Sequence, residues 1–98
     1  MIRVIIERNI KPTCVENYLE LIRNARKSAN QFDGFIAGEL LQEKDNPLLA
    51  VIISSWENLK AWDAWFVSKE RLAIVEQMRP FLENDERIII LENSNILG

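Results

Sequence analysis

Ile2-Arg3-Val4-Ile5-Ile6-Glu7-Arg8-Asn9, next to the start of the chain, is apolar and β-branched at both even and odd positions before it ends in polar residues. Such a run reads as a strand buried on both faces. The residues after it change period. Pro12 and Thr13 open a helix, with Thr13 as a candidate N-cap and Glu16 completing a capping box. Val15, Tyr18, Leu19, Ile22, Ala25 and Ala29 then fall on one helical stripe, and Arg23, Arg26 and Lys27 suit the negative end of the helix dipole. The spacing predicts a helix over 14–31.

Asp33-Gly34 ends that helical region. Phe35 to Lys44 reads as a strand, with Gly38 marking a bulge or a close backbone approach. Asp45-Asn46-Pro47 is a turn signal, and Leu48 to Trp56 completes a hairpin. Asn58 is placed to cap a short helix carrying Leu59, Trp62, Trp65 and Phe66. Ser68 is placed to cap another, with Leu72, Val75 and Met78, that stops near Pro80. Ile88 to Glu92 is a last strand. No linker, repeat or low-complexity tract interrupts the 98 residues, so one domain over 1–98 is expected.

The order βαββαβ is the ferredoxin-like pattern: an α+β fold with a four-stranded antiparallel sheet and the helices on one face. Helices on one face leave the other to water, and that other face is normally polar. Here Val4 and Ile5, Val51 and Ile52, and Ile89 and Ile90 put apolar side chains on both. A second copy of the sheet is the simplest cover, so a homodimer is expected. The hydrophobic fraction of 48% is high for a domain this small and points the same way.

Charge and composition exclude several classes of function. With a net charge of −3 and a pI of about 5.0, and with Lys and Arg spread thinly among acids, the chain lacks the basic face that nucleic acid needs. No apolar run approaches a membrane span, and the start is charged too soon for a signal-peptide core. The single cysteine, Cys14, permits no intrachain disulfide, which fits a reducing compartment, and a cytoplasmic location is expected. There is no histidine, no Cys-x-x-Cys, no carboxylate pair at ligand spacing and no Gly-rich phosphate loop, so neither a metal nor any other cofactor is expected. Without histidine, Ser54 and Ser55 have no partner for nucleophilic chemistry.

Gly34-Phe35-Ile36-Ala37-Gly38-Glu39-Leu40-Leu41, then Trp56-Glu57 closing a strand, Ala61-Trp62 beyond it and Ser68-Lys69-Glu70-Arg71 opening the next helix follow one another in a definite order. Together with Arg8 running into Ile10-Lys11-Pro12, this series resembles the antibiotic biosynthesis monooxygenase family, over nearly the whole chain. The resemblance implies a dimeric α/β barrel, two ferredoxin-like units with their sheets face to face. It implies an activity less firmly. Some members oxygenate polyketide-derived aromatic rings without metal or flavin. Others act on small signalling molecules, and others degrade haem through a histidine iron ligand in the helix after the Ala-Trp motif. Leu72, Ala73 and Ile74 occupy that region here, so haem degradation by that route is not expected.

The candidate catalytic residues are Arg8, Asn9 and Trp62, and the candidate substrate-binding residues are Trp65, Trp56, Arg71 and Glu39. Trp62 and Trp65 share a helical face and can stack a planar ligand, although large rings also serve as core. One of Arg8 and Asn9 points inward, where it can stabilise a developing oxyanion. Arg71 can reach an anionic group, and Glu39 becomes a base if buried. The less specialised roles are a surface charge or dimer ion pair for Arg71 and an edge-strand charge for Glu39. Two functions remain. One is a cofactor-independent monooxygenase acting on a small planar aromatic of quinol or polyketide type. The other is a non-catalytic dimeric protein that binds a small ligand or supports a partner.

Overall fold

A computed structural model describes residues 1–94. Its elements are β1 (Ile2–Asn9), α1 (Val15–Ala29), β2 (Phe35–Glu43), β3 (Asn46–Trp56), α2 (Leu59–Phe66), α3 (Lys69–Met78), a 3-10 turn (Arg79–Phe81) and β4 (Arg87–Glu92). The sheet is antiparallel in the order β2-β3-β1-β4. β1 is therefore central, pairing with β3 from Ile2↔Trp56 to Asn9↔Leu49 and with β4 from Ile2↔Glu92 to Glu7↔Arg87. This is the expected ferredoxin-like α+β fold.

Local chemistry accounts for the element ends, with departures from expectation at Thr13, at Leu72 and at the hairpin turn. The Asn58 side chain accepts from the Ala61 amide and the Ser68 hydroxyl accepts from the Arg71 amide, so both short helices are capped as expected. Thr13 does not cap α1. Cys14 N–H donates to the Lys11 carbonyl (2.9 Å), which places Thr13 within a turn and moves the cap position to Cys14, without a side-chain bond. On α3 the inward positions are Arg71 and Met78, and Leu72 is 52% exposed. The hairpin turn is Lys44-Asp45, tightened by the Glu43 carboxylate accepting from the Asp45 amide (2.8 Å), so β3 starts at Asn46.

Strand alternation sorts the residues of β1. Ile2, Val4, Ile6 and Arg8 face the helices and are buried. Ala29, Trp56, Trp62 and Trp65 complete that core, and a neighbouring cluster joins Ile10, Tyr18, Ala50 and Met78. The odd-numbered residues face away from the helices. There Ile5, Val51, Ile53 and Ile89 meet across the strands and are half-buried, while Leu41 and Leu91 are 44% and 43% exposed. The middle of the second face is thus apolar, with the paired Glu7 and Arg87 beside it, and no described element lies over it.

One glycine is fixed by geometry. Gly34 has φ +88, and a Cβ there would stand 2.4 Å from Ala61 Cβ. Its carbonyl accepts from the Glu57 amide (2.8 Å), which ties the start of β2 to the β3–α2 corner. Backbone strain and steric overlap act together, so Gly34→Ala is expected to destabilise the domain by about 2–4 kcal/mol. Urea denaturation measures it, and an unchanged midpoint would place Ala61 elsewhere.

Candidate active site

A cavity of about 170 Å³ lies between the helices and the sheet. Its apolar wall comes from alternate residues of the central strands, including Ile6 and Ile52, from Ile74 and Met78 of α3, and from the three tryptophans. Trp56, Trp62 and Trp65 are 1%, 2% and 6% exposed. Trp56 meets Trp62 edge-on at 5.8 Å and stacks with Trp65 at 6.3 Å, while Phe32 and Phe35 brace Trp65 and Trp56. The Trp56 indole N–H donates to the Ser54 hydroxyl (3.0 Å), so the polar atom of this ring is satisfied inside the core. The rings are therefore core and cavity wall at once.

The polar groups gather around one carboxylate. Glu86, in the loop before β4, accepts from Arg8 Nε (3.1 Å) and Arg8 Nη2 (2.7 Å) through Oε1. Its Oε2 accepts from Arg71 Nη2. Arg8 Nη1 donates to the Tyr18 hydroxyl (3.1 Å), and Arg71 Nη1 donates to the Phe66 carbonyl (3.4 Å). The Arg71 guanidinium also lies 4.6 Å from the Phe66 ring centroid and 6.0 Å from that of Trp62. Arg8 and Arg71 are 4% and 5% exposed.

Burial alone would raise the Glu86 pKa, but Arg8 and Arg71 outweigh it and hold the carboxyl below the usual carboxylate range. Burial alone would likewise lower the Arg8 pKa, and Tyr18 and Glu86 together raise it instead. The Glu86 carboxylate is thus ionised between two guanidiniums, and the cluster keeps one net positive charge beside an apolar cavity.

The structure brings Arg8, Trp56, Trp62, Trp65 and Arg71 to this cavity. Asn9 is turned away, because it follows Arg8 on a strand, and its side-chain amide donates to Asn84 Oδ1 (3.2 Å). Glu39 borders the opening but is exposed, across from Ile53 in register, so burial does not make it a base. Of the two serines, Ser54 faces inward. Tyr18, on the apolar stripe of α1, is fully buried, hydroxyl included, against Arg8. Glu86 is absent from the sequence-based candidates. Among the described residues, no three His, Cys, Asp or Glu side chains are grouped to hold a metal ion.

Removing the charge of Glu86 leaves two guanidiniums facing each other in the core. Glu86→Gln is expected to cost about 3 kcal/mol near neutral pH. The sign of the pH dependence follows from the lowered pKa: this stability is complete above the unfolded-state value of about 4.3 and is lost as pH falls through the folded-state value. Urea titrations at several pH values should show wild type converging on Glu86→Gln below about pH 4. A gap as wide in acid as at neutrality would mean that the carboxylate is not paired.

Residues 1–77 match the family model for antibiotic biosynthesis monooxygenase. A search of curated protein sequences gives no match. Among solved structures, a conserved protein from Methanosarcina mazei Go1 superposes with a TM-score of 0.90 at 22% identity, covering 95% of this chain and 92% of that one. A crystal structure of an antibiotic biosynthesis monooxygenase gives 0.87 at 21% identity, covering 96% and 99%. A mutant of SnoaB, a cofactor-independent oxygenase from Streptomyces nogalater, gives 0.83 at 14% identity, covering 94% and 91%. At these identities the superpositions speak for the fold, and the family match covers most of the sequence: the chain belongs to the antibiotic biosynthesis monooxygenase family.

Proposed function

We propose that the protein is a cofactor-independent monooxygenase of small planar aromatics, such as hydroquinones or anthrones, and that it works as a cytoplasmic homodimer. The observation that carries this reading is the net positive charge of the Arg8–Glu86–Arg71 cluster at an aromatic-walled cavity. A substrate of this class reacts with O₂ once it is an anion. The protein's part is to favour that anion electrostatically and to keep water away from it. For an anthrone, the ring-flanked CH₂ loses a proton, and the carbanion passes one electron to O₂. The two radicals join in a carbon–oxygen bond. The peroxide takes up a proton and loses water, which leaves a ketone. One oxygen atom ends in the ketone and the other in water.

In this scheme Arg71, and behind it Arg8, face the developing oxyanion, and Trp62 and Trp65 hold the ring plane. Family membership and the fold shared with a named cofactor-independent oxygenase support the assignment. The open apolar sheet face supports the dimer, since a patch of that kind is larger than monomers usually leave in water. One observation favours the non-catalytic reading: Glu86, the carboxylate bonded to the two cavity arginines, is locked between them and is not free to take the substrate proton.

Oxygen-electrode assays with a panel of hydroquinones and anthrones decide between the two. The monooxygenase predicts uptake with one ketone or quinone formed per O₂, and Arg71→Gln lowering kcat on the order of 100-fold. Saturable binding of the whole panel without oxygen uptake supports ligand binding alone. For the dimer, light scattering at micromolar concentration should give twice the 11.4 kDa chain mass, and a mass near 11.4 kDa excludes it.

A further inference from the structure

The residues around the cavity differ in exposure, and the difference locates its opening. Arg8, Trp56, Trp62, Arg71 and Met78 are buried, whereas Arg23 and Arg26 of α1 and Glu39 and Leu40 of β2 line the same space and are exposed. The mouth therefore lies between α1 and the edge strand β2, away from the guanidinium cluster. Arg23 and Arg26 are three apart on the helix, so they stand on the same side of α1 about 4.5 Å apart along its axis. Neither makes an ion pair among the described residues. The one acid at this rim, Glu39, pairs in register with Ile53, so its side chain points to the opposite face of the sheet.

The charge of this rim opposes that of the whole molecule. The chain carries −3, yet four arginines line the cavity, of which Arg8 and Arg71 share the one carboxylate of Glu86. Unpaired cations beside a low-dielectric cleft concentrate field at its entrance and attract anions. The size of the cavity matters as well. A closed space of about 150 Å³ takes a benzene ring, so a cavity of about 170 Å³ encloses little more than the reacting part of a fused aromatic. The rest of such a ligand extends through the mouth, between Arg23 and Arg26 and the edge of β2.

We infer that the ligand is an aryl carboxylate: a planar aromatic with an acidic hydroxyl or methylene at its buried end and a carboxylate at its outer end, held by Arg23 and Arg26. This rests on the cavity being the ligand site and adds the second anionic group to it. Arg23 and Arg26 are specificity-determining residues, remote from the reacting atoms. Their guanidinium forks suit a carboxylate better than a lysine pair would.

The test compares 2-naphthol with 6-hydroxy-2-naphthoate, two ligands alike except for the carboxylate, by quenching of tryptophan fluorescence. The proteins are wild type and the Arg23→Gln, Arg26→Gln double variant, whose exposed positions leave the core intact. Wild type should bind the carboxylate about five- to tenfold more tightly, which two exposed charge pairs supply. In the double variant the two ligands should bind alike, with the affinity for 2-naphthol unchanged. In wild type the preference should also shrink at 1 M salt. Equal binding of both ligands by wild type, or a preference that survives in the double variant, overturns the inference while leaving the cavity as the site. Binding of neither ligand overturns both.

Discussion

Glu86 is the point on which the site depends. One carboxylate takes bonds from Arg8 of β1 and Arg71 of α3, and it lies in the loop that leads into β4. The central strand, a helix and the last strand are thereby linked through a single side chain. Buried ionic clusters contribute little net stability compared with apolar side chains of the same volume, because their desolvation is costly. What this one supplies is charge. Two guanidiniums held by one carboxylate keep a positive potential beside a cavity whose inner walls are mostly aliphatic and aromatic.

The cavity and the apolar outer face both follow from the alternation of β1. Even-numbered residues go to the helices, so Arg8 joins Val4 and Ile6 beneath them and meets Tyr18 and Glu86. Odd-numbered residues go to the other face, where Ile5 lies between Ile53 and Ile89. A shift of one residue in register would exchange the two sets, bringing Asn9 to the cavity and Arg8 to the open face. The pairing of β1 with β3 on one side and β4 on the other fixes that choice.

The fold was legible because its signals are local and periodic. The two-sided β-branched strands, the helical stripe of α1 and the caps at Asn58 and Ser68 each depend on neighbours a few residues away. Much of the cavity was legible too, since Trp62 and Trp65 share a face by helical spacing alone. The choice between Arg8 and Asn9 was not, because it depends on which face of the strand the helices cover. Glu86 was hidden for a different reason. It belongs to the run Glu83-Asn84-Asp85-Glu86, which has no period, and its partners lie 78 and 15 residues away along the chain. Only the need of two inward-facing guanidiniums for a counter-charge pointed to it. At the start of α1, Thr13 followed by Glu16 has the letters of a capping box, but the turn closed by Lys11 and Cys14 sets the helix one residue later.

The most direct measurement of the central claim is a crystal structure of the protein with a planar phenol such as 2-naphthol. The account predicts the ring plane against Trp62 and Trp65, the phenol oxygen within hydrogen-bond distance of Arg71 or Arg8, and Glu86 still bridging the two arginines. A phenol seated on the face of Ile5, Ile53 and Ile89 with the cavity closed, or Glu86 turned out to solvent, would contradict it.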